Sequence, residues 1–250
     1  MSRHIKNDDW NGIMEVMMDK DVIKAPTILS MVRDWADLLS PAYWADQIPL
    51  PTIPRGDGHT VLFIPDMIAN DLITSPPRKY FKALGYNAVG WKLGANIGPT
   101  KRIMNGLERQ LFDYNESSGR RVTLVGKSLG GLIAREIAKK HPDRVRRLVL
   151  NCSPLRHPVI SHKAPIMYAL RSFFDPSIPS DFEQLSQPAP VPTTAFHTKM
   201  DGILAWQSCM EFEGPNVENI ELPKAYHCTA SMNKIFLTTL AERLACPDRA

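Results

Sequence analysis

From Thr60 onward the chain alternates short apolar runs with stretches of helical spacing. Thr60 to Pro65 is continuously apolar, the pattern of a strand buried on both faces. A short helix follows over Arg78 to Leu84, opened by Ser75-Pro76-Pro77, and then a strand over Tyr86 to Trp91. After Gly98-Pro99, Ile103, Leu107, Leu111 and Tyr114 recur on one face of a longer helix. Arg121 to Gly126 is the next strand. Leu129, Leu132, Ile133 and Ile137 mark a helix that stops near His141-Pro142, and Val145 to Cys152 is a strand again. Beyond a long interruption come strand Thr193 to Thr198, helix Ile203 to Met210, strand Val217 to Leu222 and a last helix from Met232 to about Leu244. Strand–helix alternation of this kind predicts an α/β domain, with a mostly parallel sheet covered by helices on both faces.

Two segments break the rhythm. Residues 1–55 read as a helical arm and a linker. Ile13 to Ile23 and Ile28 to Leu39 are mixed apolar and charged, and Pro41, Pro49, Pro51 and Pro54 follow. Within the second stretch Ile28, Met31, Val32, Trp35 and Leu38-Leu39 keep helical spacing. The arm is free to pack on the domain, to cover a site or to meet a second copy of the chain, so a homo-oligomer through it stays open. The second segment, about 153–192, is rich in proline and aromatic residues and too long for a plain loop. It reads as a lid inserted into a domain spanning 56–250.

Composition changes this picture little. The 250 residues are 44% hydrophobic and 22% charged, which fits one globular domain. The net charge of +4 is mild, and its basic groups (Arg120-Arg121, Lys139-Lys140, Arg144 to Arg147) sit at helix ends and strand mouths. Without interleaved aromatics they do not form a nucleic-acid surface. Met1 to Asn11 lacks the basic-then-apolar order of a secretion signal, and no apolar stretch has the length of a membrane span. The expected location is therefore cytoplasmic. The four cysteines (Cys152, Cys209, Cys228, Cys246) show no CxxC pair and no zinc-ligand spacing, so neither metal nor cofactor is expected.

The chemistry concentrates at Gly126-Lys127-Ser128-Leu129-Gly130, a G-x-S-x-G placed between a strand and a helix. A serine on so sharp a turn is held clear of the sheet. The flanking glycines relieve the crowding, and the Leu129 N–H points to where an oxyanion would develop. Gly126-Lys127-Ser128 also ends like a phosphate-binding loop, but that pattern needs glycine where Arg121 stands and a flexible loop where Val122 to Val125 stand. The partners of such a serine follow it in the order acid, then histidine. Of seven histidines, His4 and His59 precede the serine, His141, His157 and His162 lie at the helix end or in the lid, and His197 is inside a strand. His227, beyond the last strand, remains as the base. Asp201, in the turn after Thr193 to Thr198, is the acid that would orient it. Asp175 and Asp181, within the lid, are the fallbacks.

At these residues the chain resembles a bacterial family of lipase/esterase-like α/β hydrolases, over roughly Val61 to the C-terminus. Besides the serine motif, the resemblance is carried by Ile64-Pro65, Leu84-Gly85-Tyr86, Gly90-Trp91-Lys92-Leu93-Gly94 and Asn96-Ile97-Gly98-Pro99-Thr100. It continues with Val191 to Thr194, Asp201-Gly202-Ile203, Ala205-Trp206 and Tyr226-His227-Cys228. It implies the α/β-hydrolase fold, the triad Ser128, Asp201 and His227, and hydrolysis of carboxylic esters. Two segments depart from the family pattern. Where the family shows Pro-Gly-aromatic this chain has Pro65-Asp66-Met67, the turn whose Met67 N–H would be the second oxyanion donor. A carboxylate at Asp66 would oppose the developing charge, or else cap the turn. After His227 the chain has Cys228-Thr229-Ala230-Ser231 in place of a glycine-containing stretch. Cys209 and Cys228 fall in loops that the fold brings together, and in a reducing cytoplasm free thiols are expected there.

The resulting expectation is an esterase or lipase-like enzyme acting on a small-molecule ester or lipid, with Asp66, Tyr168, Phe173 and Phe174 as substrate-contact residues. Thioester hydrolysis or acyl transfer on the same triad stays open, as does a catalytically silent binding protein that keeps only the fold.

Overall fold

A computed structural model describes residues 26–39, 53–156 and 186–248. Ile13 to Ile23, most of the proline-rich linker and nearly all of the lid, with Tyr168, Phe173 and Phe174, lie outside the described residues. The elements in chain order are α1 (Ile28–Leu38), β1 (Thr60–Ile64), α2 (Ser75–Leu84), β2 (Asn87–Gly90), α3 (Lys101–Ser118), β3 (Val122–Lys127), α4 (Leu129–Lys140) and β4 (Val145–Asn151). After the lid come β5 (Thr193–His197), β6 (Val217–Glu221) and α5 (Lys234–Ala245).

The strands form a six-stranded sheet in the order β2-β1-β3-β4-β5-β6, and every pair is parallel. Alternation along β1 divides the core. Leu62 and Ile64 face a layer made by Ile103, Leu107 and Leu111 of α3 with Ile133 and Ile137 of α4. Val61 and Phe63 face Phe81 and Leu84 of α2 with Phe236, Leu237 and Leu240 of α5. β1, β3 and β5 are buried on both faces, as the interior of a parallel sheet requires. Local chemistry sets the helix ends. Prolines occupy the first turn of α2, and Gly85 closes that helix in the left-handed region at φ 103°. The Thr100 side chain accepts the Ile103 N–H at the start of α3, and Asn233 does the same for Ile235 at α5.

One expected element is much shorter than its periodicity indicates. In place of a helix from Ile203 to Met210 there is a 3-10 turn over Trp206–Cys209. The Asp201 carboxylate accepts the N–H groups of Ile203 and Leu204 as a helix cap would, but the backbone turns extended at Ala205, so no α-helix continues from it. In α1 the described side chains divide in an unexpected way. Val32 is 58% exposed and Leu29 80%, while Asp34 is fully enclosed.

Strand order reverses around β1, because the chain goes from β1 outward to β2 and then returns to β3 on the other side. In open parallel sheets the crevice beyond the carboxyl ends of two such strands is the usual ligand site. Here those ends are Pro65-Asp66-Met67 and Lys127-Ser128-Leu129.

Candidate active site

Ser128 occupies the junction of β3 and α4 with φ 51° and ψ −121°. Non-glycine residues rarely hold such angles, at a cost of about 1–3 kcal/mol, and they persist only where the surroundings over-determine them. The surroundings do so here. The Ser128 N–H donates to the Asn151 carbonyl at the end of β4 (2.9 Å), and the Ser128 carbonyl accepts the Gly131 N–H (3.0 Å). A Cβ at Gly126 would collide with the backbone of Gly130 and Gly131, and one at Gly130 with the carbonyls of Ile64 and Pro65. The glycines thus let the turn close on itself and against the end of β1. Leu129 is the first residue of α4, where an N–H has no intrahelical acceptor.

The turn after β1 is pinned from outside. Asn96 accepts the Ile68 N–H (2.8 Å) and donates its side-chain amide to the Pro65 carbonyl (2.7 Å). The Ala69 N–H donates to the Asp66 carbonyl. Asp66 therefore closes this turn through its backbone, and its carboxylate points elsewhere. One oxygen lies 3.3 Å from Lys127 Nζ. The other is buried without a hydrogen-bond partner among the described residues. Lys127, buried beneath the site, also donates to the Cys228 carbonyl at 2.7 Å.

Asp201 and His227 meet on the other side. His227 Nδ1 stands 2.7 Å from Asp201 Oδ2, with both side chains almost wholly enclosed. The second Asp201 oxygen accepts the N–H groups of Ile203 (2.9 Å) and Leu204 (2.7 Å). With both oxygens engaged, the acid has one orientation. Nδ1 carries the proton toward Asp201, which leaves Nε2 as the basic nitrogen. Thr198 Oγ1 donates to the Ala225 carbonyl (2.7 Å) and ties the Asp201 loop to the His227 loop. Burial alone pushes the His227 imidazole down in pKa. The Asp201 carboxylate more than reverses this by charge and hydrogen bond, and the net shift is upward.

Cys152, directly after β4, completes the floor. A ligand atom each from Cys152, Asp201 and His227 fall within 4.8 Å of one another. This donor set suits a metal poorly. Burial holds the Cys152 thiol well above its ordinary pKa and therefore protonated, and Asp201 already holds Nδ1. All four cysteines are free thiols in this structure.

Ser128, Asp201 and His227 thus all lie at the carboxyl end of the sheet, with Met67 in the turn after β1 and Leu129 at the start of α4 after β3. Two residues at this site escaped the sequence. Lys127 is an unspecified position of G-x-S-x-G, and Asp34 lies far away in the arm. Its carboxylate accepts N–H groups from the acid and base loops. The only sequence signal for Asp34 was a charge set among apolar residues at helical spacing.

The α/β hydrolase fold family matches residues 114–199 of the chain. Comparison with curated protein sequences gives no match. Among solved structures, an α/β-hydrolase enzyme from the metagenome of lagoon sediments at Mar Chica, Morocco, superposes with a TM-score of 0.52 at 19% identity, over 76% of this chain and 91% of that one. Lipase B of Aspergillus fumigatus gives 0.62 at 16% identity, over 81% of this chain and 57% of the lipase. The monoacylglycerol lipase of Paleococcus ferrophilus gives 0.52 at 16% identity, over 75% and 95%. Together with the parallel sheet and its strand order, these likenesses establish that the chain has the α/β-hydrolase fold.

Proposed function

We propose that the chain is a serine hydrolase of carboxylic esters, with Ser128 as nucleophile, His227 as general base and Asp201 as its orienting acid. The observation that carries this reading is the Ser128 backbone, held at φ 51° where β3 turns into α4, at the same end of the sheet as a buried His227–Asp201 pair 2.7 Å apart. Strain kept in place by so many contacts has a use when it exposes a hydroxyl at a crevice.

In the proposed reaction His227 Nε2 takes the Ser128 proton as Oγ attacks the ester carbonyl, and Asp201 stabilises the imidazolium that forms. The N–H groups of Leu129 and Met67 hold the oxyanion. The imidazolium then protonates the leaving alcohol, and water, activated by the same imidazole, releases the acyl group from Ser128. The Asp66 carboxylate faces the Lys127 ammonium and so is offset near the oxyanion, which favours turnover over a silent binding role. The likeness to two lipases agrees with an ester substrate. Among the described residues no helix is long and apolar enough to cross a membrane, consistent with a substrate taken from solution or from a lipid surface.

Fluorophosphonate labelling of wild type and Ser128→Ala, beside a p-nitrophenyl ester panel from acetate to palmitate, tests the reading. Label and turnover are expected to vanish together in the variant, and the chain-length profile then separates esterase from lipase. Wild type that neither labels nor turns over any ester sinks the proposal.

A further inference from the structure

Asp34 is fully buried, yet it comes from a helix whose outer face carries exposed Leu29 and Val32. Its carboxylate accepts three backbone N–H groups from two distant loops. Oδ2 takes those of Gly202 (2.9 Å) and His227 (2.9 Å), and Oδ1 takes that of Cys228 (2.6 Å). These donors are the residue after the acid, the base itself and the residue after the base. They lie 168, 193 and 194 positions along the chain from Asp34. A buried carboxylate is costly unless its oxygens are satisfied, and charge-assisted bonds of this kind are about twice as strong as neutral ones. Here the acid and base loops supply the donors, so the carboxylate and the two loops stabilise one another.

The rest of α1 is fitted to the same place. A Cβ at Gly202 would collide with the carbonyl of Ser30, and all its nearest atoms belong to Ser30 and Met31 of α1. The Arg33 guanidinium lies 5.0 Å from the centre of the Tyr226 ring, beside the base. The helix thus crosses both loops, with the buried Asp34 carboxylate at the point where they come together.

We infer that Asp34 is a positioning residue that clamps the Asp201 and His227 loops in register, so that the N-terminal arm forms part of the hydrolytic machinery without touching substrate. The inference rests on the Ser128 hydrolase reading. Holding the loops keeps the Asp201–His227 hydrogen bond at one length, and small displacements of such a pair are costly in rate. The clamp also has an electrostatic side. The groups facing the imidazole are Asp201 from the loop after β5, Asp34 from α1, Lys127 from β3 and the protonated Cys152 thiol after β4. Asp34 and Asp201 favour the imidazolium and Lys127 opposes it. Without the Asp34 charge the base is weaker and its titration moves to lower pH.

The test compares full-length wild type, Ser128→Ala, Asp34→Asn and Gly202→Ala, with folding checked by circular dichroism. It measures kcat and KM on one short p-nitrophenyl ester and the pH profile of kcat/KM. Asp34→Asn removes the charge and one acceptor. Gly202→Ala leaves every charged group in place and wedges α1 away from the acid loop. Both variants are expected to lose about tenfold or more in kcat with KM little changed. In Asp34→Asn the acid limb should also move to lower pH, which a purely structural role would not produce. Should Asp34→Asn fail to fold, Gly202→Ala decides by its kcat. A folded Asp34→Asn with wild-type kcat and acid limb, or in its absence a Gly202→Ala with wild-type kcat, overturns the clamp and leaves the hydrolase reading intact. Wild-type turnover that survives Ser128→Ala overturns both.

Discussion

Lys127 Nζ stands 3.3 Å from the Asp66 carboxylate, so the residue before Ser128 offsets the charge of the acid that follows β1. Lys127 is buried, and Asp66 is partly so. In such surroundings the attraction between them is much stronger than in water. The pair joins the ends of β1 and β3, the two strands whose loops would carry the oxyanion donors.

Lys127→Met is therefore expected to lower kcat by more than about tenfold, because it leaves the Asp66 charge without its counter-ion in the turn of the proposed Met67 donor. Lys127→Met with Asp66→Asn should recover most of that loss. The recovery falls short of wild type because the Cys228 carbonyl still lacks the Lys127 donor. A double-mutant cycle on kcat with a short-chain ester measures the coupling. Additive losses would mean that the pair does not act on the oxyanion.

The acid limb of kcat/KM reports the base in the free enzyme. His227 is shifted upward from the ordinary imidazole value of 6.5, and activity needs its neutral form, so the limb is expected above pH 6.5. Activity then falls as pH drops through the raised value. Asp201→Asn leaves only Asp34 against the downward push of burial and Lys127, and also permits the wrong tautomer. Its kcat should fall about 10⁴-fold, with the residual limb moved to lower pH. A pH–rate profile of both proteins on one ester checks the sign. An unmoved limb in Asp201→Asn would detach Asp201 from the base.

Much of this was legible in the sequence because the signals were local. Apolar runs such as Val61 to Ile64 announce strands buried on both faces, and all of the expected strands pair in one parallel sheet. Ser128 was visible because a strained turn needs Gly126 and Gly130 close beside it. The helix expected over Ile203 to Met210 failed for a reason periodicity does not carry. The backbone turns extended at Ala205, so only a 3-10 turn over Trp206–Cys209 forms although Asp201 offers a cap. Asp34 and Lys127 were hidden differently. Each is defined by partners in distant loops, and neither a charge in an amphipathic stretch nor an unspecified position of a motif reveals such partners.

Arg135 of α4 and Glu211 face each other at 3.1 Å with neither side chain exposed. The guanidinium also donates to the Leu155 carbonyl where the lid begins, and Arg156 beside it donates to the Glu211 carbonyl. α4, which follows Ser128, is thereby fastened to the segment Leu155–Arg156 after β4 and to the segment after Asp201. Breaking a buried pair from one side strands the other charge, so Arg135→Met should destabilise the fold by about 3–5 kcal/mol. Glu211 Oε1 also accepts the Phe212 N–H at 3.0 Å, which makes leucine a poor partner for the double variant. Glutamine keeps that acceptor and drops the charge. Arg135→Met with Glu211→Gln is therefore expected to regain most of the lost stability, read as the urea midpoint at constant slope. Equal midpoints for the single and double variants would show that the stranded charge is not what costs stability, and that α4 is held to the lid base by packing alone.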